Sequence, residues 1–424
     1  MEFPRLLVVR QKFQDRALRD LAGEVRSQLA GSPFAARLAP GSRVGIGVGS
    51  RGIANIAVIA RAAVDYWKSM GMSPFLFPAM GSHGAATAAG QADVLAHYGI
   101  TEASMGCPVV SQLDVVSLGR TPEGIETFMD RVAHESDGVM LLSRIKWHTD
   151  FTGKIESGLC KMMAIGLGKF AGARKYHVWG RRIGMENVVR SVGRQVMASG
   201  KLLGGIAILE DACHHTAHVE AVPIDTLEQR EEELLALVKS WAGRLPFDLD
   251  VLIVDEMGKN YSGTGIDTKV VNRTNTAIYN PWPDVPSITR LFVRELSPLS
   301  YGNAVGLGMI DVVTDRLVEQ VDWNATRINT LTAGNPAAMR VPMHFPTDRE
   351  CLEAVAGTIP KFDFAEVTFG WIRNTMELQT LAVSENLRPR IESDPQLEIF
   401  AGHAEIRFGA DGNLLGVLAA AATG

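Results

Sequence analysis

The chain is poor in cysteine, and its cysteines are far apart. Its 424 residues contain four, and none forms a CxxC pair. They are Cys107, Cys160, Cys213 and Cys351. This spacing excludes a disulfide framework and predicts reduced thiols in a reducing compartment.

Long apolar runs are also lacking. The first residues, MEFPRLLVVRQKF, carry acidic and basic side chains and lack the apolar core of a signal peptide. No window reaches the roughly 18 uncharged apolar residues of a membrane-spanning helix. We therefore expect a cytoplasmic protein that does not act at a membrane.

The chain has no strong charge of either sign. Its net charge is −5 and its pI about 6.1, and it has neither a lysine/arginine run nor an acidic tail. Nucleic acid is therefore not an expected partner. The composition, 46% hydrophobic and 21% charged, is typical of a globular protein.

A pattern of strand, turn and helix recurs in the first half. The run SRVGIGV (42–48) precedes a glycine turn (49–52), and PFLFP (74–78) precedes a turn that contains His83. A third run, GVMLLSRI (138–145), is followed by Lys146 and His148. Ligands bind at the carboxyl ends of parallel strands, so His83 and His148 are expected at one edge of a sheet.

The first glycine turn resembles an anion-binding turn. A strand, a glycine turn and a helix together point backbone N–H groups at an anion. Gly45, Gly47, Gly49 and Gly52 meet the dinucleotide pattern G-x-G-x-x-G only loosely.

The length allows more than one domain, since single cores stop growing near about 250 to 300 residues. The most linker-like segment is Gly243-Arg-Leu-Pro-Phe, and DLDVLIV (248–254) opens a new series of elements. We predict an α/β fold of two α/β domains, residues 1–245 and 246–424. Their sheets should be mainly parallel, with the active site in the cleft between them.

Chemically distinctive residues are concentrated in 144–177, RIKWHTDFTGKIESGLCKMMAIGLGKFAGARKYH. Lys161 lies among apolar residues, and burial would lower its pKa and make the amine nucleophilic. The alternative is that its charge reaches water along an apolar stem. Cys160 beside it is either a small buried hydrophobe or a reactive thiol.

A histidine cluster follows a predicted strand. His214 and His218 stand four apart, and on a helix they would share one face with His215 and Asp211 nearby. This predicts a zinc site as an alternative to a site around Lys161.

The second half has one dense polar stretch, DEMGKNYSGTGID (255–267). It follows a predicted buried strand, and its glycines would let the backbone approach a ligand closely. Lys259, Asp267 and Arg273 could supply charge there; the alternative is a solvated turn.

These motifs together resemble a known family. VGIGVGSRGIANI, PAMGSHGAATAAGQ, RIKWHTDFTGKIESGLCKMMAIGLGK and DEMGKNYSGTGID are similar to the lactate racemase superfamily. Its members are nickel pincer cofactor-dependent racemases and epimerases of 2-hydroxyacids. The resemblance covers nearly the whole chain and points to an uncharacterised branch.

The resemblance implies a role for individual residues. Lys161 would hold a pyridinium mononucleotide through a thioamide, and His177 would ligate the nickel that its sulfur and carbon atoms hold. His83 and His148 would be the acid/base pair. Ser50 and Arg51 would contact the cofactor, and the substrate carboxylate would meet Arg51, Lys259 or Arg273.

The chemistry agrees with these residue types. Two histidines with pKa values near neutrality suit transfer of a hydroxyl proton on either face of a flat keto intermediate. A soft donor set with imidazole suits square-planar nickel. The first glycine turn, Gly49-Ser50-Arg51-Gly52, departs from the family, which has an acidic residue and threonine beside the arginine, so we expect a changed substrate pocket.

The sequence supports three hypotheses about function. The first is a hydroxyacid racemase or epimerase whose partners are cofactor-synthesis and insertion proteins, with a homodimer left open. A host without that synthesis pathway would yield protein without cofactor. The second is a zinc-dependent hydrolase that uses His214, His215 and His218, and the third is a non-catalytic binding protein of the same fold.

Overall fold

The structure is a computed structural model that describes residues 3–49, 52–416 and 418. The chain divides into two compact units. Unit I is Asp15–Ala242, and unit II is Met1–Gln14 together with Gly243–Gly424. Each unit combines helices with a sheet that contains parallel strands, which confirms the predicted class of two α/β domains.

The strands are, in chain order, β1 (Leu6–Gln11), β2 (Arg43–Val48), β3 (Ser73–Pro78), β4 (Val115–Arg120), β5 (Glu126–Asp130), β6 (Gly138–Arg144), β7 (Leu202–Glu210), β8 (Thr216–Pro223), β9 (Leu249–Met257), β10 (Ile288–Leu296), β11 (Val312–Thr314), β12 (Met343–Phe345), β13 (Phe369–Ile372), β14 (Thr380–Ser384) and β15 (Leu397–Ala404).

The α-helices are α1 (Leu21–Gly31), α2 (Ile56–Ser69), α3 (Ala88–His97), α4 (Glu102–Met105), α5 (Arg131–His134), α6 (Leu159–Lys161), α7 (Lys169–Ile183), α8 (Met185–Met197), α9 (Leu227–Trp241), α10 (Thr268–Val271), α11 (Asp315–Glu319), α12 (Trp323–Ala333), α13 (Asp348–Ala356) and α14 (Arg388–Ser393). Within the described residues, none of these helices is both long and apolar enough to cross a membrane.

The main sheet of unit I has the order β3-β2-β6-β7-β8. Strands β3, β2, β6 and β7 are parallel, and β8 is antiparallel to β7. Each face of this sheet is covered by a hydrophobic cluster. The parallel strands are buried on both faces, which is why their sequences are nearly continuous apolar runs.

Two glycines of β2 serve packing. A Cβ atom at Gly45 would lie 3.0 Å from Cζ of Phe75, and one at Gly47 would lie 2.8 Å from Cδ2 of Leu141. Both glycines lie inside the strand, so they make room for large side chains of β3 and β6 and are not part of a phosphate-binding turn.

The sheet of unit II has the order β12-β11-β10-β9-β13-β14-β1-β15. The strands from β12 to β13 are parallel, and β14, β1 and β15 are added antiparallel.

The first strand corrects one part of the predicted division. Residues 1–245 were assigned to one domain, but β1 hydrogen-bonds to β14 and β15 and therefore belongs to unit II. Local periodicity cannot show this, because the partners of β1 lie more than 350 residues further along the chain.

The helical segment after Lys161 is divided in two. Helix α7 ends at Ile183 and α8 begins at Met185. Gly184, at φ +86°, separates them, a backbone conformation that glycine adopts without strain.

Candidate active site

The carboxyl ends of β2, β3 and β6 meet at one edge of the unit I sheet, because these strands are parallel and adjacent. The short helix α6 and the π-helix Met162–Gly166 lie against the turns at this edge. A Cβ atom at Gly49 would lie 2.9 Å from Cε of Met162, and one at Gly81 would lie 3.0 Å from Cγ2 of Ile165. The turns after β2 and β3 therefore contact the segment that begins with Lys161.

The loop between β6 and α6 is closed at its base. Lys146 and Ser157 exchange two backbone hydrogen bonds, with N···O distances of 3.0 and 3.1 Å. The buried carboxylate of Glu156 accepts hydrogen bonds from the N–H groups of His148 and Gly153. The loop therefore presents His148 from a fixed base.

His148 is oriented by its neighbours in this loop. Its Nδ1 atom accepts a hydrogen bond from the N–H of Asp150 at 3.0 Å. Its ring stacks on Phe151, with 4.4 Å between centroids and 30° between planes. Because Nδ1 is the acceptor, the neutral ring carries its proton on Nε2.

Lys161 is half-buried and is the last residue of α6. Its Nζ atom is 5.8 Å from the centroid of the Phe151 ring, within the range of a cation–π contact. The π-helix follows immediately, and single π-helical turns occur frequently at functional sites. Phe151 thus links Lys161 to His148.

His177 on α7 lies within electrostatic reach of Lys161. Burial lowers the pKa of His177, the charges of Lys161 and Arg181 lower it further, and Asp150 acts in the opposite direction. The ring is therefore neutral at neutral pH, the form in which imidazole ligates a metal. Lys161, Phe151, His148 and His177 are called the lysine cluster below.

His83 is exposed and lies in the turn after β3. The three residues after it, Gly84, Ala85 and Ala86, have φ values of +62°, +54° and +53°. Left-handed alanines are uncommon, and such strain clusters at functional sites. The side chain of the buried Gln91 holds the turn from below by donating to the carbonyl groups of Met80 and Gly81 at 3.3 and 3.1 Å.

A buried ion pair supports this turn. Lys169 is fully buried, and its Nζ atom lies 3.2 Å from Oδ2 of Asp130. It donates to the carbonyl of Pro78 at 2.7 Å and to Oε1 of Gln91 at 3.1 Å. Burial lowers the pKa of Lys169, whereas the carboxylate of Asp130 raises it. Lys169 therefore connects the start of α7 to the ends of β3 and β5.

Three charged residues near the site were not predicted from the sequence: Lys169, and Glu231 and Lys239 of α9. Glu231 is buried and accepts a hydrogen bond from the N–H of Cys160 at 2.8 Å. Lys239 pairs with Glu156 under the loop of His148. The sequence does indicate that Glu231 is buried, because it lies four residues from both Leu227 and Leu235 on the apolar face of an amphipathic helix.

Cys160 is a buried thiol. Burial raises its pKa well above the ordinary value, and the neighbouring Glu231 raises it further. Because the thiolate is the nucleophile, the structure favours the reading of Cys160 as a small packed side chain.

Two of the residues predicted to bind substrate, Lys259 and Arg273, lie in unit II and not in unit I. Ser50 and Arg51 lie outside the described residues. Lys259 belongs to unit II and donates from Nζ to the carbonyl of Gly263 at 2.6 Å.

Arg273, also in unit II, is fully buried. Its guanidinium pairs with Asp311 at 2.8 Å and donates to the carbonyl of Met309 at 2.7 Å. The ring of Tyr279 covers it, 4.2 Å from the guanidinium carbon to the ring centroid. These contacts give Arg273 a structural role in unit II, and its contact with a substrate carboxylate stays a prediction.

The histidines of the predicted zinc site face different carboxylates. They lie on the β7–β8 hairpin and not on a helix. His218 bonds to Glu220 at 3.0 Å, while His214 lies 3.8 Å from Glu210. His215 instead joins Asp15 and Asp211 in a group whose donor atoms lie within 4.8 Å of one another. Among the described residues, the three histidines therefore do not form one ligand set.

The hairpin also contains a strong ion pair. Burial would raise the pKa of Glu210, but His214, Arg144 and the N–H of Ala54 lower it to about 2. The carboxylate is therefore ionised at every physiological pH and fixes the end of β7 to Arg144 at the end of β6.

Comparison with solved structures identifies a protein that shares this fold. No family model matches the chain, and no curated protein sequence matches it. The crystal structure of a protein from Thermotoga maritima, a structural-genomics target, is 11% identical, with a TM-score of 0.51, over 87% of this chain and 99% of that chain. It shows a shared fold and nothing more.

A second solved structure is the lactate racemase apoprotein from Thermoanaerobacterium thermosaccharolyticum. It is 13% identical, with a TM-score of 0.46, over 67% of this chain and 69% of that chain. At this level the likeness carries no argument about function.

Proposed function

We propose that this protein is a racemase or epimerase of a 2-hydroxyacid that uses a nickel pincer nucleotide attached to Lys161. The observation that carries the proposal is the lysine cluster. Phe151 contacts Lys161 and also stacks on His148, and the charge of Lys161 lowers the pKa of His177. Three residues that the sequence motifs single out are thus neighbours in the fold.

The residues of the lysine cluster fit such a cofactor. Lys161 is half-buried at the end of a helix turn, where its amine can be attached to a carboxyl-derived group. His177 is kept neutral by burial and by Lys161, as a nickel ligand must be. Imidazole with a soft sulfur and carbon donor set suits square-planar nickel. When bound, the group would supply a hydride acceptor.

His148 and His83 are proposed to move the hydroxyl proton of the substrate. With Nδ1 accepting from Asp150, neutral His148 holds its proton on Nε2. It is therefore set to donate, and His83, which follows β3 at the same edge of the sheet, is set to accept. Reversal of these two roles would return the other enantiomer.

The test separates attachment from turnover. Protein co-produced with the cofactor-synthesis enzymes is given single enantiomers of 2-hydroxyacids, and the product is resolved by chiral chromatography. We expect Lys161→Ala to retain no cofactor. His83→Ala and His148→Ala should retain it and lose turnover by about 10²-fold or more, the usual contribution of a general acid or base.

Loss of cofactor from both histidine variants, with full retention in Lys161→Ala, would contradict the assignment. Wild-type protein that carries the cofactor and racemises none of the hydroxyacids would contradict the activity. Unmodified protein without nickel would favour the non-catalytic binding protein instead.

A further inference from the structure

The carboxyl group of Glu231 lies directly beneath the helix turn that ends in Lys161. Its side chain is buried, and Oε2 accepts a hydrogen bond from the N–H of Cys160 at 2.8 Å. Among the described residues, Oε1 makes no hydrogen bond. A buried carboxyl with one unused oxygen is costly, so it calls for an explanation beyond packing.

Gly158, which has no side chain, leaves room for this carboxyl. A Cβ atom at Gly158 would lie 2.4 Å from Oε1 of Glu231. Gly158 is the residue before α6, so the glycine and the carboxyl meet where the turn of Lys161 begins.

We propose that Glu231 is a positioning residue that holds the turn of Lys161 through the N–H of Cys160, and that its ionisation lowers the reactivity of the Lys161 amine. The inference deepens the proposed function, since it concerns how Lys161 is held, but its test needs no cofactor.

Glu231 should change its ionisation state near neutral pH. Burial raises its pKa to about 7, against the lowering effect of the Cys160 N–H. Arg190 of α8 is shared by Glu186 of α8 and by Glu228 and Glu232 of α9. Helix α6 contributes the thiol of Cys160 and the ammonium of Lys161. The π-helix, Met-Met-Ala-Ile-Gly, contributes no charge.

The ionised carboxylate lies beside the N–H of Cys160, the residue before the lysine. We expect its negative charge to favour the lysine ammonium and so to reduce the reactivity of the amine. The reactivity of Lys161 should therefore respond to a proton that Lys161 itself does not carry.

The experiment measures acylation of Lys161 by a succinimidyl ester from pH 6 to pH 9. The protein is produced without cofactor-synthesis enzymes, so that Lys161 is a free amine. Peptide mass spectrometry gives the ratio of Lys161 to the exposed Lys154, an internal reference on the same chain. We expect this ratio to fall about twofold or more near pH 7, as a unit charge at a moderate distance requires.

The variants are Glu231→Gln, which keeps the shape and cannot ionise, and Glu233→Gln, a matched control on the exposed face of α9. The step near pH 7 should disappear in the first and persist in the second. An unchanged step in Glu231→Gln, or a flat ratio in wild-type protein, would overturn the proposal.

A second readout needs no variant. Hydrogen exchange of the Cys160 amide in wild-type protein, corrected for intrinsic exchange, should become faster as pH rises through 7, because ionisation of the buried carboxyl favours its exposure to water. Protection that is equal at pH 6 and pH 8 would overturn the proposal. Neither measurement depends on a cofactor, so a failure here and a failure of the proposed racemase are distinguishable.

Discussion

The Nζ atom of Lys239 lies 2.6 Å from Oε1 of Glu156. This pair joins α9 to the loop that carries His148, because the same carboxylate accepts the N–H of His148. Eight residues earlier on α9, Glu231 holds the turn of Lys161. One helix face therefore supports two segments of the candidate site.

Replacement of Lys239 should loosen the loop of His148. Lys239→Met leaves the buried carboxylate of Glu156 with backbone donors alone, so we expect a loss of about 1–3 kcal/mol in unfolding free energy. Chemical denaturation measures the loss, and faster hydrogen exchange at the His148 amide locates it. Lys154→Met, an exposed lysine of the same loop, is the control. Equal effects of the two variants would contradict the role of the pair.

The buried pair of Lys169 and Asp130 should be strongly coupled. Lys169→Met leaves a buried carboxylate without its cation, which costs about 3–5 kcal/mol. In Lys169→Met combined with Asp130→Asn, the second change should recover about 1–3 kcal/mol of that loss. A double-mutant cycle of unfolding free energies measures the coupling. Additive losses would show that the two side chains do not act together.

Much of unit I was predictable because its elements are marked by local pattern. The strands β2, β3 and β6 are apolar runs bounded by glycine or proline, and their order predicted that His83 and His148 share a sheet edge. The pairing of β1 with β14 was not predictable, since no local feature records a partner so distant in sequence.

The stability of unit I should depend on pH through Glu231. Its pKa is about 7 in the folded protein against an ordinary value of 4.5, so the folded state holds the proton more tightly. This stabilisation is fully present below pH 4.5 and is lost as pH rises through 7, a total of about 3 kcal/mol at ~1.4 kcal/mol per pH unit.

Glu231→Gln, which cannot ionise, should therefore lose less stability than wild type between pH 5 and pH 8. Denaturation at several pH values checks this. Parallel pH profiles of the two proteins would contradict a raised pKa.

Gly158 should tolerate a methyl group only when Glu231 is shortened. Gly158→Ala places Cβ 2.4 Å from Oε1 of Glu231, so it should displace the carboxyl and destabilise unit I. Glu231→Ala removes the collision, and the double variant should be more stable than the sum of the single effects predicts. Thermal unfolding of the four proteins measures this. Strict additivity would show that the two residues do not meet.

The candidate site was predictable only in part. The lysine and histidines were singled out by residue type and by the resemblance of their motifs to a family, and the fold places Lys161 near His148 and His177. The residues that hold them, Lys169 and Glu231, are charged side chains in apolar surroundings, and only tertiary contacts show which buried partners they have.

The central claim is that Lys161 carries a nickel-binding nucleotide. Intact mass and nickel content, measured on protein co-produced with the cofactor-synthesis enzymes, test it most directly. We expect a nucleotide-sized mass on Lys161 and about one nickel per chain, as one ligand set requires. Lys161→Ala should carry neither the added mass nor nickel. His177→Ala should carry the added mass but no nickel. Wild-type protein with no added mass and no nickel would contradict it.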